Sequence, residues 1–337
     1  MIYSNLLDDF LSYMKSTKGS SDNTMREYYY DIRMFLRFLK IRRGYVDSDT
    51  LFDDIEIDDI DVAILKTVTK RDIYAYNSYL GQTRKISNRS KHRKITSVRR
   101  FFHYLTTKVD LLDENPLDNI DLPTFEKTLP VYLSLEEAKA LLETALHSKQ
   151  REVYKRRDYA ILTLFLNCGL RLSELQSIDI DHIEKDHTLR VMGKGKKERT
   201  IYLNQACVQA LEMYLSYRPQ IKDSALFLSQ RQKRMSNRAI QHMIEKHIVN
   251  TGLDPKKYSV HKLRHTAATL MYQYGNADIL SLQEILGHES VTTTQIYTHI
   301  KEEHLRATLD NNPLGDYIVE DERPKEESLK NSKKEEA

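Results

Sequence analysis

The spacing of apolar positions divides the chain into a helical first part and a mixed second part. Residues 21–40, SDNTMREYYYDIRMFLRFLK, begin with capping-type residues. Tyr28, Ile32, Phe35, Leu36 and Leu39 then recur on one helix face. The same period predicts helices over 69–80 (TKRDIYAYNSYL) and 87–108, where Ile95, Val98, Phe102 and Leu105 form the apolar stripe. Residues 113–134, DENPLDNIDLPTFEKTLPVYLS, hold three prolines and little periodicity, which predicts an extended connector. Ser134, with Glu137 three residues on, forms a capping box that opens the next helix. Apolar YAILTLFLN (159–167) predicts a buried helix ending at Gly169, and HTLRVMGKGKKERTIYL (187–203) predicts two short strands around a basic, glycine-bearing turn. Further helices are expected at 259–275, at 278–287 and, briefly, at 290–300. The expected fold is mainly α with a small β-sheet, in two domains. Residues 1–112 are a helical bundle, 113–130 a linker and 131–312 a mixed α/β domain, and 313–337 are a charged tail expected to be disordered.

Composition narrows the setting. In 337 residues no run approaches the roughly 20 apolar residues of a membrane span. The first segment, MIYSNLLDDFLSYMKS, is amphipathic and lacks the basic start of a secretory signal, so a cytoplasmic, non-membrane location is expected. Cys168 and Cys207 stand alone in apolar surroundings, which excludes a disulfide framework or zinc ribbon and reads as two buried small hydrophobes.

A net charge of +3 says less than its distribution. Residues 45–61 are acidic (Asp47, Asp49, Asp53, Asp54, Glu56, Asp58, Asp59, Asp61) and read as a solvated loop kept away from a phosphate backbone. Residues 81–109 contain no acid, and Arg89, Lys91, Arg93 and Lys94 are the candidate DNA contacts there. Such a run is ordinarily a solvated face. Here all charges share one sign, and Ser87, Ser90, Thr96 and Ser97 leave room for close backbone approach.

Four segments of the second part carry chemistry. In NCGLRLSEL (167–175), Arg171 falls at a helix start where backbone N–H groups also favour an anion, with Glu174 placed to hold its guanidinium. On that segment alone, a structural Arg–Glu pair is the better explanation. In GKGKKER (193–199), Lys194 lies between two glycines, but the nucleotide-binding pattern of a P-loop is absent. In SVHKLRHTAATLMYQYG (259–275), His261 and Arg264 share one face near a helix start capped by Ser259. His261 and His265 have the i,i+4 spacing of zinc ligands, yet no glutamate follows the first and no third ligand is evident, so no metal is expected. In LGHESVTTTQIYTH (286–299), a glycine-closed helix meets a turn with His288 and a short helix with Tyr297. That outline suits a groove-reading helix-turn-helix, and Tyr297 suits a packed core ring. Taken together, two arginines, a lysine, two histidines and a tyrosine form a set for a phosphodiester. Guanidinium forks pair with non-bridging oxygens, and fixed cations act most strongly on charge that builds in the transition state.

GLRLSEL, GKGKKER, HKLRH and LGHESVTTTQIYTH, in that order, closely resemble the motif boxes of the tyrosine recombinases, nearest to the Xer-type recombinases of bacteria. The likeness runs from about residue 3 to residue 312 and is strongest from 160 to 300. It implies a SAM-like core-binding domain followed by a catalytic domain, which close around double-stranded DNA at a specific core site. It implies a homo- or hetero-tetramer, with or without a second recombinase, and no cofactor. Tyr297 would be the nucleophile that forms a 3′-phosphotyrosyl link. Arg171 and Arg264 would hold the phosphate, Lys194 would protonate the leaving 5′-oxygen, His261 would accept or position the tyrosine proton, and His288 would hydrogen-bond the phosphate. The acidic stretch at 41–62 and the tail after 313 are longer than in short members of the group. EEHLRATLDNN is the candidate for a helix exchanged between subunits. Alternatives are an integrase of a mobile element, a topoisomerase of type IB acting alone, and a DNA-binding regulator without catalysis. The last leaves Arg171, Lys194, His261 and Arg264 unexplained.

Overall fold

In the computed structural model, residues 6–47, 49–125, 130–193, 198–275 and 277–287 are described. Among them are twelve α-helices and one two-stranded sheet. The chain divides into two compact units, 1–128 and 129–337. None of the described helices is long and apolar enough to cross a membrane.

The first unit is built from α1 (Leu6–Ser16), α2 (Asp22–Arg43), α3 (Val62–Lys66), α4 (Lys70–Gln82) and α5 (Asn88–Thr107). Ser21 caps α2 by accepting from the Thr24 N–H, and Ser87 caps α5 by accepting from the Ser90 N–H. The stripes expected from sequence face inward: Ile32, Phe35 and Leu39 of α2 meet Val98, Phe102 and Leu105 of α5 in one core. Leu112, Leu117 and Ile120 join that core, so the first part of the expected connector packs as part of this unit.

One acid lies within the α2 stripe. Asp31 is fully buried and accepts from Arg93 Nη1 (2.6 Å) and Nη2 (3.0 Å), Lys94 Nζ (2.9 Å) and Ser97 Oγ (2.8 Å) of α5. A buried carboxylate is tolerated only when paired and hydrogen-bonded, and this one ties α2 to the basic helix. The acids of the acidic stretch are exposed, as a solvated loop requires, but the backbone and the isoleucines between them are tied down. Arg37 of α2 donates to the Ile55 carbonyl (2.8 Å), and Lys40 donates to the Glu56 carbonyl (3.0 Å) and the Asp59 carboxylate (2.8 Å). Ile55, Ile57 and Ile60 are buried. The isoleucines between the acids supply the packing, and the two buried α2 cations also pair with the carboxylates of Asp53 and Asp59.

The second unit contains α6 (Leu135–Leu146), α7 (Glu152–Cys168), α8 (Leu172–Gln176), strands β1 (Thr188–Met192) and β2 (Glu198–Tyr202), α9 (Gln205–Leu215), α10 (Asn237–Asn250), α11 (Val260–Tyr274) and α12 (Ile279–Leu286). The α7 helix is the centre, with Ala160, Ile161, Leu162, Leu164 and Phe165 fully buried and with α6, α9 and α11 packed on it. The Ser134–Glu137 capping box forms in both directions, at 3.1 and 2.8 Å. The strands pair antiparallel, Thr188 opposite Tyr202 and Met192 opposite Glu198. Asp158 of α7, buried, accepts from Arg157 (2.7 Å) and lies 3.0 Å from His247 Nε2 of α10, a polar clamp inside the core. Cys168 and Cys207 are both buried, their sulfurs 3.7 Å apart as free thiols.

Replacing Asp31 with alanine leaves Lys94 buried without its carboxylate. The expected loss is about 3 kcal/mol of local stability. Hydrogen exchange of the full chain checks this: protection of α2 and α5 should fall by that amount while α7 and α11 stay unchanged.

Candidate active site

The site begins where α7 stops. Gly169 ends that helix in the left-handed region (φ 59°), and a Cβ there would lie 2.7 Å from Leu286 Cδ2 and 3.6 Å from Ala267 Cβ. Glycine thus lets the end of α7, the middle of α11 and the end of α12 approach one another. The chain then enters α8, whose first turn is closed by Glu174. This carboxylate, 1% exposed, accepts from the Arg171 backbone N–H (2.7 Å) and from Arg171 Nη1 (2.7 Å).

Two more arginines converge on the same carboxylate. Arg199 of β2 donates through Nη2 to Glu174 Oε2 at 2.9 Å, and Arg264 of α11, itself buried, has Nη1 3.9 Å from that oxygen. Burial opposes ionisation of Glu174, but the Arg199 charge, the Arg171 N–H and the guanidinium hydrogen bonds outweigh it and hold the carboxyl below its ordinary range. Three guanidiniums around one carboxylate leave an excess of two positive charges.

The same arginines hold the end of α12. Arg199 donates to the Ile285 carbonyl, Arg264 Nη2 to the Leu286 carbonyl at 2.6 Å, and Arg171 Nη2 to the Gly287 carbonyl at 2.5 Å. Arg264 Nη1 also donates to the Gly169 carbonyl at 2.6 Å. The last carbonyls of a helix have no partner inside it and carry its negative pole, so cations suit them. Gly287, at φ 60°, closes α12, and a Cβ there would meet the Arg199 side chain at 3.0 Å.

Arg171 and Arg264 are therefore brought together. His261 is exposed on the first turn of α11, one turn before Arg264. Lys194, His288 and Tyr297 lie outside the described residues, as does the 290–300 segment. The strands on either side of the Lys194 turn are described, as is Gly287, which precedes His288 in the chain. Sequence reasoning missed Arg199. Its signal was the strand period: on β2, Arg199 and the buried Ile201 share a face, while Glu198, Thr200 and Tyr202 are exposed.

Of the expected DNA contacts in the first unit, Arg89 is exposed and Lys91 is half-buried. Lys94 is buried on Asp31, so it is an internal partner and not a surface cation. Arg93 shares that carboxylate and also pairs with Glu27 at 2.7 Å, while its side chain stays 45% exposed. Arg89, Arg93 and Arg100 line a groove of about 730 Å³ with Tyr28, Thr96 and Ser97. A possible metal-ligand group among the described residues, Asp179, Asp181 and His182, is separate from these residues. Its Asp179 is taken by Arg234 and by Ser224.

Comparison with known proteins gives a consistent picture. The profile of the phage integrase family matches residues 132–304, and that of the phage integrase N-terminal SAM-like domain matches residues 6–110. A tyrosine recombinase XerC of Caldanaerobacter subterraneus subsp. tengcongensis is 48% identical over 316 residues, covering 93% of this chain and 88% of that protein. A tyrosine recombinase XerC of Leptospira interrogans is 32% identical over 302 residues, covering 88% and 89%. Among solved structures, XerH recombinase bound to difH substrate in a pre-cleavage complex superimposes with a TM-score of 0.65 at 23% identity, covering 90% of this chain and 83% of that one. The Tn1549 transposon integrase in complex with transposon right-end DNA gives 0.70 at 18%, covering 91% and 99%. These two structures share the fold.

One titration follows from the packing of α11. Burial lowers the pKa of His265 from 6.5 to about 4, helped by the charges of Lys262, His261 and Arg264. The unfolded chain therefore binds the extra proton first. The stability this residue contributes is complete above its unfolded pKa of 6.5 and is lost as pH falls from there to about 4. Ring-proton NMR should show His265 still neutral at about pH 5, and a midpoint near 6.5 would contradict the packing.

Proposed function

Because the chain belongs to the phage integrase family, as a tyrosine recombinase of the Xer type, we propose that it resolves chromosome or plasmid dimers by site-specific strand exchange. Like other enzymes of this class it cuts and rejoins DNA strands. Its partner is double-stranded DNA. In this reading the unit with α1 to α5 is the core-binding domain, the part of 113–130 beyond the packed Leu117–Ile120 segment is the linker, and four subunits assemble on two DNA sites in the cytoplasm.

The roles are assigned residue by residue. Tyr297 attacks the scissile phosphorus, its proton passing to or positioned by His261. The bond to the 5′-oxygen breaks, and Lys194 protonates that oxygen as it leaves. Arg171 and Arg264 hold the non-bridging oxygens, and His288 hydrogen-bonds the phosphate. A phenol with a pKa near 10 is a poor nucleophile at neutral pH, so it needs both the base and the cations. A 5′-alkoxide is a poor leaving group, so an acid is required there. The phosphotyrosyl link conserves the energy of the broken bond, and a 5′-hydroxyl can reopen it without a separate energy source.

The observation that carries this reading is the arginine cluster on Glu174. It is preorganised, it holds an excess of two positive charges, and it adjoins the chain that continues into His288. In the first unit, the groove lined by Arg89, Arg93 and Arg100 supports phosphate contact by α5.

Incubation with nicked duplex DNA carrying a bound site, followed by a denaturing gel, tests the proposal. The parent should form a covalent adduct, and Tyr297→Phe should lower it at least about a thousandfold while still binding DNA. Tight binding with no adduct from the parent on any bound site would leave a DNA-binding regulator instead.

A further inference from the structure

Arg199 stands apart from the residues to which the reaction above gives a role. It comes from β2, and it links two features: the Oε2 oxygen of Glu174 at 2.9 Å and the carbonyl of Ile285 near the end of α12. Its side chain is 16% exposed, and its Nε is buried and without a hydrogen-bond partner among the described residues. Against that nitrogen lies Gly287, where a Cβ would approach to 3.0 Å. The guanidinium is thus enclosed by Glu174, α12 and a glycine whose replacement would press on it.

We infer that Arg199 is a positioning residue for strand cleavage: it neutralises Glu174 and pins the end of α12, so that the charges of Arg171 and Arg264 remain available to the phosphate. The inference rests on the recombinase reading above. Glu174 Oε2 is shared by the Arg171 N–H, Arg199 Nη2 and, at 3.9 Å, Arg264 Nη1. With Arg199 present, the cluster keeps two uncompensated positive charges. Without it the cluster keeps one, and Glu174 Oε2 draws Arg264 and Arg171 inward.

The size of the effect depends on the charge of the bound species. A phosphodiester in the ground state carries one negative charge. The pentavalent arrangement reached when the tyrosine oxygen adds carries about two, spread over the non-bridging oxygens. Halving the excess positive charge therefore weakens the transition state more than the bound DNA. DNA affinity is dominated by many other phosphate contacts and changes little. A merely structural role would lower both, or would lower the melting temperature and nothing else.

The test compares the parent with Arg199→Gln and Arg199→Lys, using full-length protein and nicked duplex DNA. Single-turnover adduct formation, gel-shift affinity and thermal melting are measured. Arg199→Gln should form the adduct about 100-fold more slowly, with its DNA Kd within about threefold of the parent's. Arg199→Lys, which restores the charge without the two-pronged geometry, should recover about tenfold of that loss and stay about tenfold below the parent. If Arg199→Gln melts below the assay temperature, Arg199→Lys decides alone. An adduct rate about tenfold below the parent's at unchanged Kd supports the inference, and a parental rate overturns it. It is also overturned by an Arg199→Gln rate within about threefold of the parent's, by a rate loss matched by weaker binding, or by a lysine variant no better than glutamine. If the parent itself forms no Tyr297-dependent adduct, the recombinase reading has failed, and the role of Arg199 fails with it.

Discussion

The second unit depends on a carboxylate that water does not reach. Glu174 is 1% exposed and is shared between Arg171 and Arg199, with Arg264 close by. Each component requires the others. Alone, the carboxylate would protonate in its buried position or unfold its surroundings. Alone, three guanidiniums at such range would repel one another. Together they form a cluster whose outward balance is positive, and they also complete the open end of α12. Those arginines come from separate elements, the start of α8, β2 and the second turn of α11. The packing that positions them, including the close approach at Gly169, therefore sets the electrostatics of the site.

Asp31 in the first unit follows the same physics to a different end. It too is a buried acid in an apolar stripe, and it too collects cations from another helix. There the cations are adjacent residues of one helix. Lys94 is drawn inside, and Arg93 is left with one side on the carboxylate and 45% of its side chain exposed. The charge run of α5 is thus divided by Asp31 into an inward part, which fixes the helix on α2, and an outward part with Arg89 and Arg100. Removing either acid would cost more than the pair contributes on balance, because a buried cation would remain.

Much of this was legible in the sequence. The apolar period located α2, α4 and α5, an apolar run located α7, Ser259 and Gly275 bounded α11, the Ser134–Glu137 spacing located a cap, and Gly169 and Gly287 marked helix ends. The Arg171–Glu174 pair could be read because its members lie three residues apart on one turn. Arg199 could not be ranked above its basic neighbours, since a run of Lys and Arg looks uniform until strand parity assigns faces. Lys94 was read as a surface cation for the converse reason. Its partner is 63 residues away, and nothing local distinguishes it from Lys91. The Asp158–His247 contact spans 89 residues and left no local trace. The acidic stretch was read only in part: its acids are exposed as expected, but its few buried isoleucines, which decide where it sits, were overlooked beside the conspicuous charges.

Under the proposed function, the arrangement orients the arginines before DNA arrives. Each arginine side chain has about 2 kcal/mol of rotamer entropy to lose on being fixed. Here Arg171, Arg199 and Arg264 are fixed during folding, by Glu174 and by the carbonyls of Ile285, Leu286 and Gly287. In the proposed reaction, a phosphate arriving at the cluster meets donors already oriented, and the arginines lose little further freedom. Carbonyl oxygens are also weaker acceptors for a guanidinium than an anion's oxygens, whose charge-assisted bonds are about twice as strong. The carbonyls of α12 can thus orient the arginines and still yield a donor to the phosphate, whereas a second carboxylate in their place would hold the arginines too well. Neutral acceptors at the end of α12 and one charged acceptor beneath give a cluster that is ordered before DNA binds and remains positive toward it.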